Sequence, residues 1–101
     1  MGSLFYGARQ YKVDDRLLAH FQVLISLKLR RDENFFLSWS KGASEGGGRH
    51  SIWIDNGVPI ACEYDGSRPA AIQREWVEAM AEAAGSSLGL HVTDDGEFQP
   101  L

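Results

Sequence analysis

Four side chains, His20, His50, His91 and Cys62, are the soft metal ligands that this sequence offers. None is paired at i,i+4 or in a C-x-x-C, the spacings that bring two ligands together on a helix or in a turn, so no zinc site is expected. His20 falls in a helical pattern and His91 in a strand, where surface or partly packed roles are expected. No G-x-S-x-G or comparable setting presents a serine to a base. Cys62 shares a strand face with Ile60 and Tyr64, the place of a small buried hydrophobe. As the single cysteine it forms no intramolecular disulfide. A catalytic constellation is therefore not expected, and no cofactor is implied.

Lys41 to Arg49, KGASEGGGR, invites comparison with a phosphate-cradling loop. That chemistry needs G-x-x-x-x-G-K-[ST] running into a helix N-terminus, whose free N–H groups hold the phosphates. Here Gly48 stands at the lysine position, Arg49 follows, and the next segment, HSIWID, reads as a strand. A connection between strands is the expected role, with Lys41 and Arg49 as candidate anion contacts.

Glu63 to Arg68, EYDGSR, resembles the K-x-D-G-x-R motif of ATP-dependent DNA ligases and capping enzymes. The resemblance implies a lysine nucleophile that takes AMP as a phosphoramidate. Glu63 occupies that position, and a carboxylate lacks the amine lone pair that forms the P–N bond. The chain is also too short for the adenylation domain of that family. The string reads instead as a strand end, a tight Asp-Gly turn and an approach to a helix, with Arg68 as a third candidate anion contact.

These residues must be positioned by one domain, since 101 residues fall in the range of about 100–150 where domains cluster. The longest element is Asp14 to Arg31. Leu17, Leu18, Phe21, Leu24, Ile25 and Leu29 recur at three- and four-residue steps, which predicts a helix with one buried face. Asp14 or Asp15 suits its start, and Lys28, Arg30 and Arg31 suit its end, by the sign of the helix dipole.

Leu4–Gly7 and Gln10–Val13 read as short strands joined by a turn. Asn34–Ser40 alternates, with Phe35, Leu37 and Trp39 on one face and Phe36, Ser38 and Ser40 on the other. His50–Asp55 and Ile60–Asp65 are two further strands, separated by an Asn56-Gly57 turn, and the three are expected to form an antiparallel meander. A second helix is expected to open near Pro69 and run to Gly85, with Ile72, Trp76, Met80 and Ala83 or Ala84 inward. A last strand spans Leu88–Thr93, and Asp94–Leu101 reads as a loose acidic tail. The order is ββαβββαβ, an α+β domain with two helices on one face of a mainly antiparallel sheet.

The net charge of −4 opposes a protein that coats nucleic acid. No apolar run reaches the ~20 residues of a membrane span, and MGSLFYGARQYKVDD lacks the form of a signal peptide. A cytoplasmic protein is the expectation. Once the core is assigned, Phe36 and Trp53 are left on the helix-free face of the sheet, with Glu63 and His91 as neighbours there. Large aromatics on an open face mark a contact surface; the alternatives are that the N-terminal hairpin or the glycine-rich loop folds over them, or that the facing is inverted. Val23 and Leu27 lie four apart on a second flank of the long helix, to be covered by the second helix or by another chain.

The segments MGSLFYG, DDRLLAHFQVLISLKLRR, GRHSIWI and YDGSRPAAIQREWVEAM resemble a family of small uncharacterised proteins of high-GC Gram-positive bacteria and their phages. Some members of that family carry the label of ATP-dependent DNA ligase, which the Glu63 substitution argues against as an activity here. The expectation is a non-enzymatic binding or accessory domain, self-associating or contacting another protein. The alternative is a nucleotide- or nucleic-acid-associated protein using Lys41, Arg49 and Arg68.

Overall fold

The structure, a computed structural model, describes residues 1–41, 46–69, 71–86, 89–93 and 98–100, the last three as backbone. The elements are β1 (Gly2–Tyr6), β2 (Arg9–Val13), α1 (Asp15–Arg30), β3 (Phe35–Ser40), β4 (Arg49–Ile54), β5 (Ile60–Glu63), α2 (Arg74–Ala83), β6 (Leu90–Val92) and β7 (Phe98–Pro100). The α+β class and the order ββαβββαβ are as expected, with β7 added. Of the expected loose tail, residues 94–97 and 101 lie outside the described residues, whereas Phe98–Pro100 pairs antiparallel with β6. As the outer strand of its sheet, β7 admits a residue without an N–H, such as Pro100.

Both ends of α1 are closed by side chains and turns that supply the missing partners of its free backbone groups. The Asp14 carboxylate accepts from the N–H groups of Arg16 at 3.1 Å and Leu17 at 3.4 Å. At the other end the Glu33 N–H reaches back to the Lys28 carbonyl at 2.9 Å and the Asp32 N–H to Leu29 at 3.0 Å. This is a Schellman closure, and it places Asp32 at φ 58°, where glycine is usual. The Asn56 side-chain amide adds a bond to the Leu29 carbonyl at 2.9 Å. The Asn56-Gly57 turn therefore serves the end of a helix and does not close a two-residue hairpin.

That difference carries through the topology. The strands form two sheets, β2-β1-β5 and β4-β3-β6-β7. The expected three-strand meander is corrected: β3 pairs antiparallel with β4, but β5 leaves to pair antiparallel with β1, and β6 takes the other side of β3 in parallel. Pro59, just ahead of β5, has no N–H to give a ladder with β4, and its carbonyl instead accepts from Gly7 at 2.9 Å. The two sheets are tied where they meet by Tyr6. Its hydroxyl donates to the Trp53 carbonyl at 2.7 Å and accepts from the Asp55 N–H at 2.9 Å.

The core forms one cluster beneath both sheets. From α1 come Leu18, Phe21, Leu24 and Ile25; from the first sheet Leu4, Tyr11 and Val13; from the second Phe35, Leu37, Trp39, Ile54, Leu90 and Val92. Each fully buried side chain of this kind contributes about 1.5–3 kcal/mol from apolar burial. Trp39 sits among aromatic rings, with Phe21 at 5.5 Å, Tyr11 at 5.6 Å and His50 at 5.2 Å between centroids.

The second helix departs from expectation at its start. It opens at Arg74, after an extended Gln73 at φ −90° and ψ 97°, several residues beyond Pro69. Ile72, expected inward, is exposed, and Val77, Met80 and Ala84 face the core. His20 explains the late start. Fully buried on α1, its Nδ1 lies 2.7 Å from the Arg16 carbonyl, and its Nε2 accepts from the Gln73 N–H at 3.1 Å. A carbonyl can only accept, so the ring is the neutral Nδ1–H tautomer, and it holds residue 73 out of the helical conformation. Trp76 packs edge-on to it at 4.3 Å.

Two substitutions separate core burial from the tie between sheets. Phe21→Ala is expected to destabilise by about 3–5 kcal/mol. Tyr6→Phe is expected to cost only about 1 kcal/mol, because the groups it releases sit near solvent. Urea unfolding monitored by tryptophan fluorescence measures both.

Candidate functional site

The outward face of the four-stranded sheet is set by the alternation of β3 and β4. Phe35, Leu37 and Trp39 enter the core, so Phe36, Ser38 and Ser40 lie on the opposite side, in register with Trp53, Ser51 and Arg49, and Ser38 is itself fully buried there. Phe36 and Trp53 meet edge to face at 5.0 Å. Phe36 is half-buried, whereas Trp53 stays 47% exposed, the largest aromatic surface open to solvent among the described residues. A T-shaped pair of this kind is worth about 0.5–1.5 kcal/mol beyond its buried area, so Phe36 fixes the Trp53 ring in place.

Further along, the Ser38 hydroxyl donates to Ser51 Oγ at 2.8 Å. His91 of β6 registers with Ser38 and places Nε2 3.2 Å from Ser40 Oγ. Its Nδ1 is buried without a hydrogen-bond partner among the described residues. Burial, helped by the Arg49 guanidinium, holds the His91 imidazole below its ordinary pKa. Gly89, at φ +83°, lets the chain pass against the Phe36 carbonyl, where any Cβ would collide. The backbone entering β6 thus presses directly on the residue that supports Trp53.

Of the expected neighbours of the aromatic pair, His91 joins this sheet face and Glu63 does not. Glu63 ends β5 in the other sheet and is exposed. Lys41 and Arg49 stand at the turn end of the β3–β4 hairpin, where the Lys41 N–H bonds the Gly48 carbonyl at 2.9 Å. Residues 42–45 of the glycine-rich connection lie outside the described residues, while Gly46, Gly47 and Gly48 take φ of 88°, 72° and 81°. Such a run of left-handed conformations accounts for the three glycines without a ligand.

Arg68 goes elsewhere. With Val23 it lines a groove of about 370 Å³ between α1 and residues 64–69 and 72. Leu27, one turn along α1, instead lines a second groove of about 400 Å³ against α2, beside Glu78 and Glu82. Both Val23 and Leu27 are half-buried, so α2 covers this flank only in part. The EYDGSR string forms one wall of the first groove. The Asp15 carboxylate accepts from the N–H groups of Asp65 at 3.2 Å and Gly66 at 2.9 Å, and these bonds, Gly66 foremost, lower its pKa. The Met1 ammonium pairs with Asp65 at 2.6 Å. The Asp-Gly turn thus spends its donors on the chain's own carboxylate. Tyr64 donates to Gln22 Oε1 at 2.6 Å across the same groove. Sequence spacing could not show that 42-residue contact, nor that Ile72 belongs to the groove, since its place in a four-residue stripe reads as core.

The histidines do not converge. His20 has both ring nitrogens bonded, and His50 packs on Tyr11 at 4.8 Å. Burial pushes the Cys62 thiol up, away from the thiolate form. Among the described residues no group of three or more His, Cys, Asp or Glu could hold a metal ion, and no helix is long and apolar enough to cross a membrane.

A family model described as a domain of unknown function (DUF7882) matches residues 1–95. No curated protein and no solved structure matches the chain.

The lowered pKa values of His91 and Asp15 fix two windows of pH. For His91 the folded chain binds its proton less readily than the unfolded chain, so stability is full above 6.5 and falls as pH drops below it. Asp15, also lowered, contributes stability that is lost only as pH falls below 3.8. Thermal melts across pH are expected to show both steps, with His91→Gln removing the upper one and leaving the lower.

Proposed function

The chain belongs to the DUF7882 family, and we propose that it acts by binding protein, through the outward face of β3 and β4, and catalyses no reaction. The observation that carries this reading is Trp53, 47% exposed and braced by Phe36 on the sheet face opposite the core. Exposed aromatic surface on a rigid sheet is the composition of an interface centre, where tryptophan and arginine supply most of the binding energy. Arg49 lies on the same face four residues away along β4, with the exposed Ser51 between. Immobilising this face costs little on binding, since Phe36, the Ser38–Ser51 bond and the approach of Gly89 already fix it.

The non-enzymatic part of the reading is supported by the separate positions of His20, His50 and His91 and by the protonated state favoured for Cys62. The alternative, an anion or nucleic-acid surface, is favoured less. It would draw on Lys41, Arg49 and Arg68 together, yet Arg68 lines the α1 groove and Lys41 and Arg49 do not. The net charge of −4 also opposes it.

Self-association is the simplest form of the proposal. Sedimentation velocity over a concentration series is expected to show assembly that Trp53→Ser abolishes while its circular dichroism and melting temperature stay unchanged. A wild-type chain that sediments as a strict monomer, and that retains no protein which Trp53→Ser fails to retain, would overturn the reading.

A further inference from the structure

The groove between α1 and residues 64–69 and 72 differs from the sheet face in both chemistry and position. Its walls are set before any ligand arrives. Tyr64 is tied to Gln22, and burial first, then Cys62, pushes its phenol up to about 12, so it remains a committed donor. Asp15 has its oxygens occupied by the Asp65 and Gly66 amides. What is left unspent is one cation and an apolar lining. Arg68 has no ion pair among the described residues. Ile72 is 42% exposed and shares the groove with Val23 and Ala19. The volume of about 370 Å³ falls within the roughly 300–1,000 Å³ of small-molecule sites.

We propose that this groove binds a small amphipathic monocarboxylate, with Arg68 pairing its carboxylate and Val23, Ala19 and Ile72 taking its hydrocarbon body. Guanidinium and carboxylate match in a two-point geometry that an ammonium does not offer. The single charge follows from Asp15, whose carboxylate lines the same groove and opposes a dianion such as a phosphate ester. The apolar body follows from Ile72, an aliphatic side chain left in water at the rim of a preformed cleft.

Octanoate serves as the probe, with octan-1-ol as its uncharged counterpart, each titrated into the isotope-labelled full chain and followed by amide chemical shifts. Octanoate is expected to saturate, moving the amides of Val23, Tyr64 and Ile72. Arg68→Gln is expected to weaken it by about tenfold or more, the effect of losing a charged hydrogen bond. Octanol should bind the wild-type chain as weakly as octanoate binds that variant. Val23→Trp, which fills the groove from a half-buried position of α1, should abolish binding, and Trp53→Ser should leave it unchanged. Non-saturating shifts, equal affinity for octanol and octanoate, indifference to Arg68→Gln, or sensitivity to Trp53→Ser would each overturn the assignment.

Discussion

One helix has to satisfy two sheets at once, and most of the molecule follows from that demand. The buried face of α1 presents Leu18, Phe21, Leu24 and Ile25 to a core drawn from both β-sheets. Packing on that helix gives the short strands of both sheets the apolar burial that offsets their ordering entropy. Together on one helix they share a single dry layer. The devices at the edges of α1 keep it in register with both. Asp14 and the Schellman turn fix its ends, Asn56 reaches over from the β4–β5 link, and Asp15 holds the turn after β5.

His20 extends the same logic to α2. A buried imidazole is costly unless both nitrogens are satisfied. Here one is bonded to the helix that carries it and the other to the segment entering the next helix. The contact fixes the approach of α2, and it leaves Ile72 and Arg68 outside the helical frame, where they border a groove. A residue that looks like a ligand in the sequence proves to be a joint, and the groove is a consequence of where the joint sits.

The local features of this chain were legible because they rest on short-range periodicity. The alternation of Phe35, Leu37 and Trp39, the spacing along α1 and the inward position of Cys62 all follow from geometry within a few residues. The β1–β2 and β3–β4 pairs followed too, but the partners of β5 and β6 did not, because they are decided by groups far apart in the chain. The Asn56-Gly57 turn reads as a hairpin, and only the distant Leu29 carbonyl and Tyr6 hydroxyl show why β5 crosses to β1. The start of α2 was misplaced for the same reason, since the His20 ring that delays it lies 53 residues away. The aromatic pair was visible as two residues left over by the core. The Arg68 groove was not, since it depends on a helix that begins late.

The parallel pairing of β6 with β3 has a further consequence for the order in which the protein can be made. Leu37 and its partner Leu90 emerge far apart during vectorial synthesis, at about 5–20 residues per second. Through that interval β3 is paired on one side only, with an open row of backbone donors and acceptors on the other. The nascent chain therefore carries a sticky strand edge until β6 arrives. Gly89, the residue that lets that segment close against Phe36, is the latch that ends the exposure.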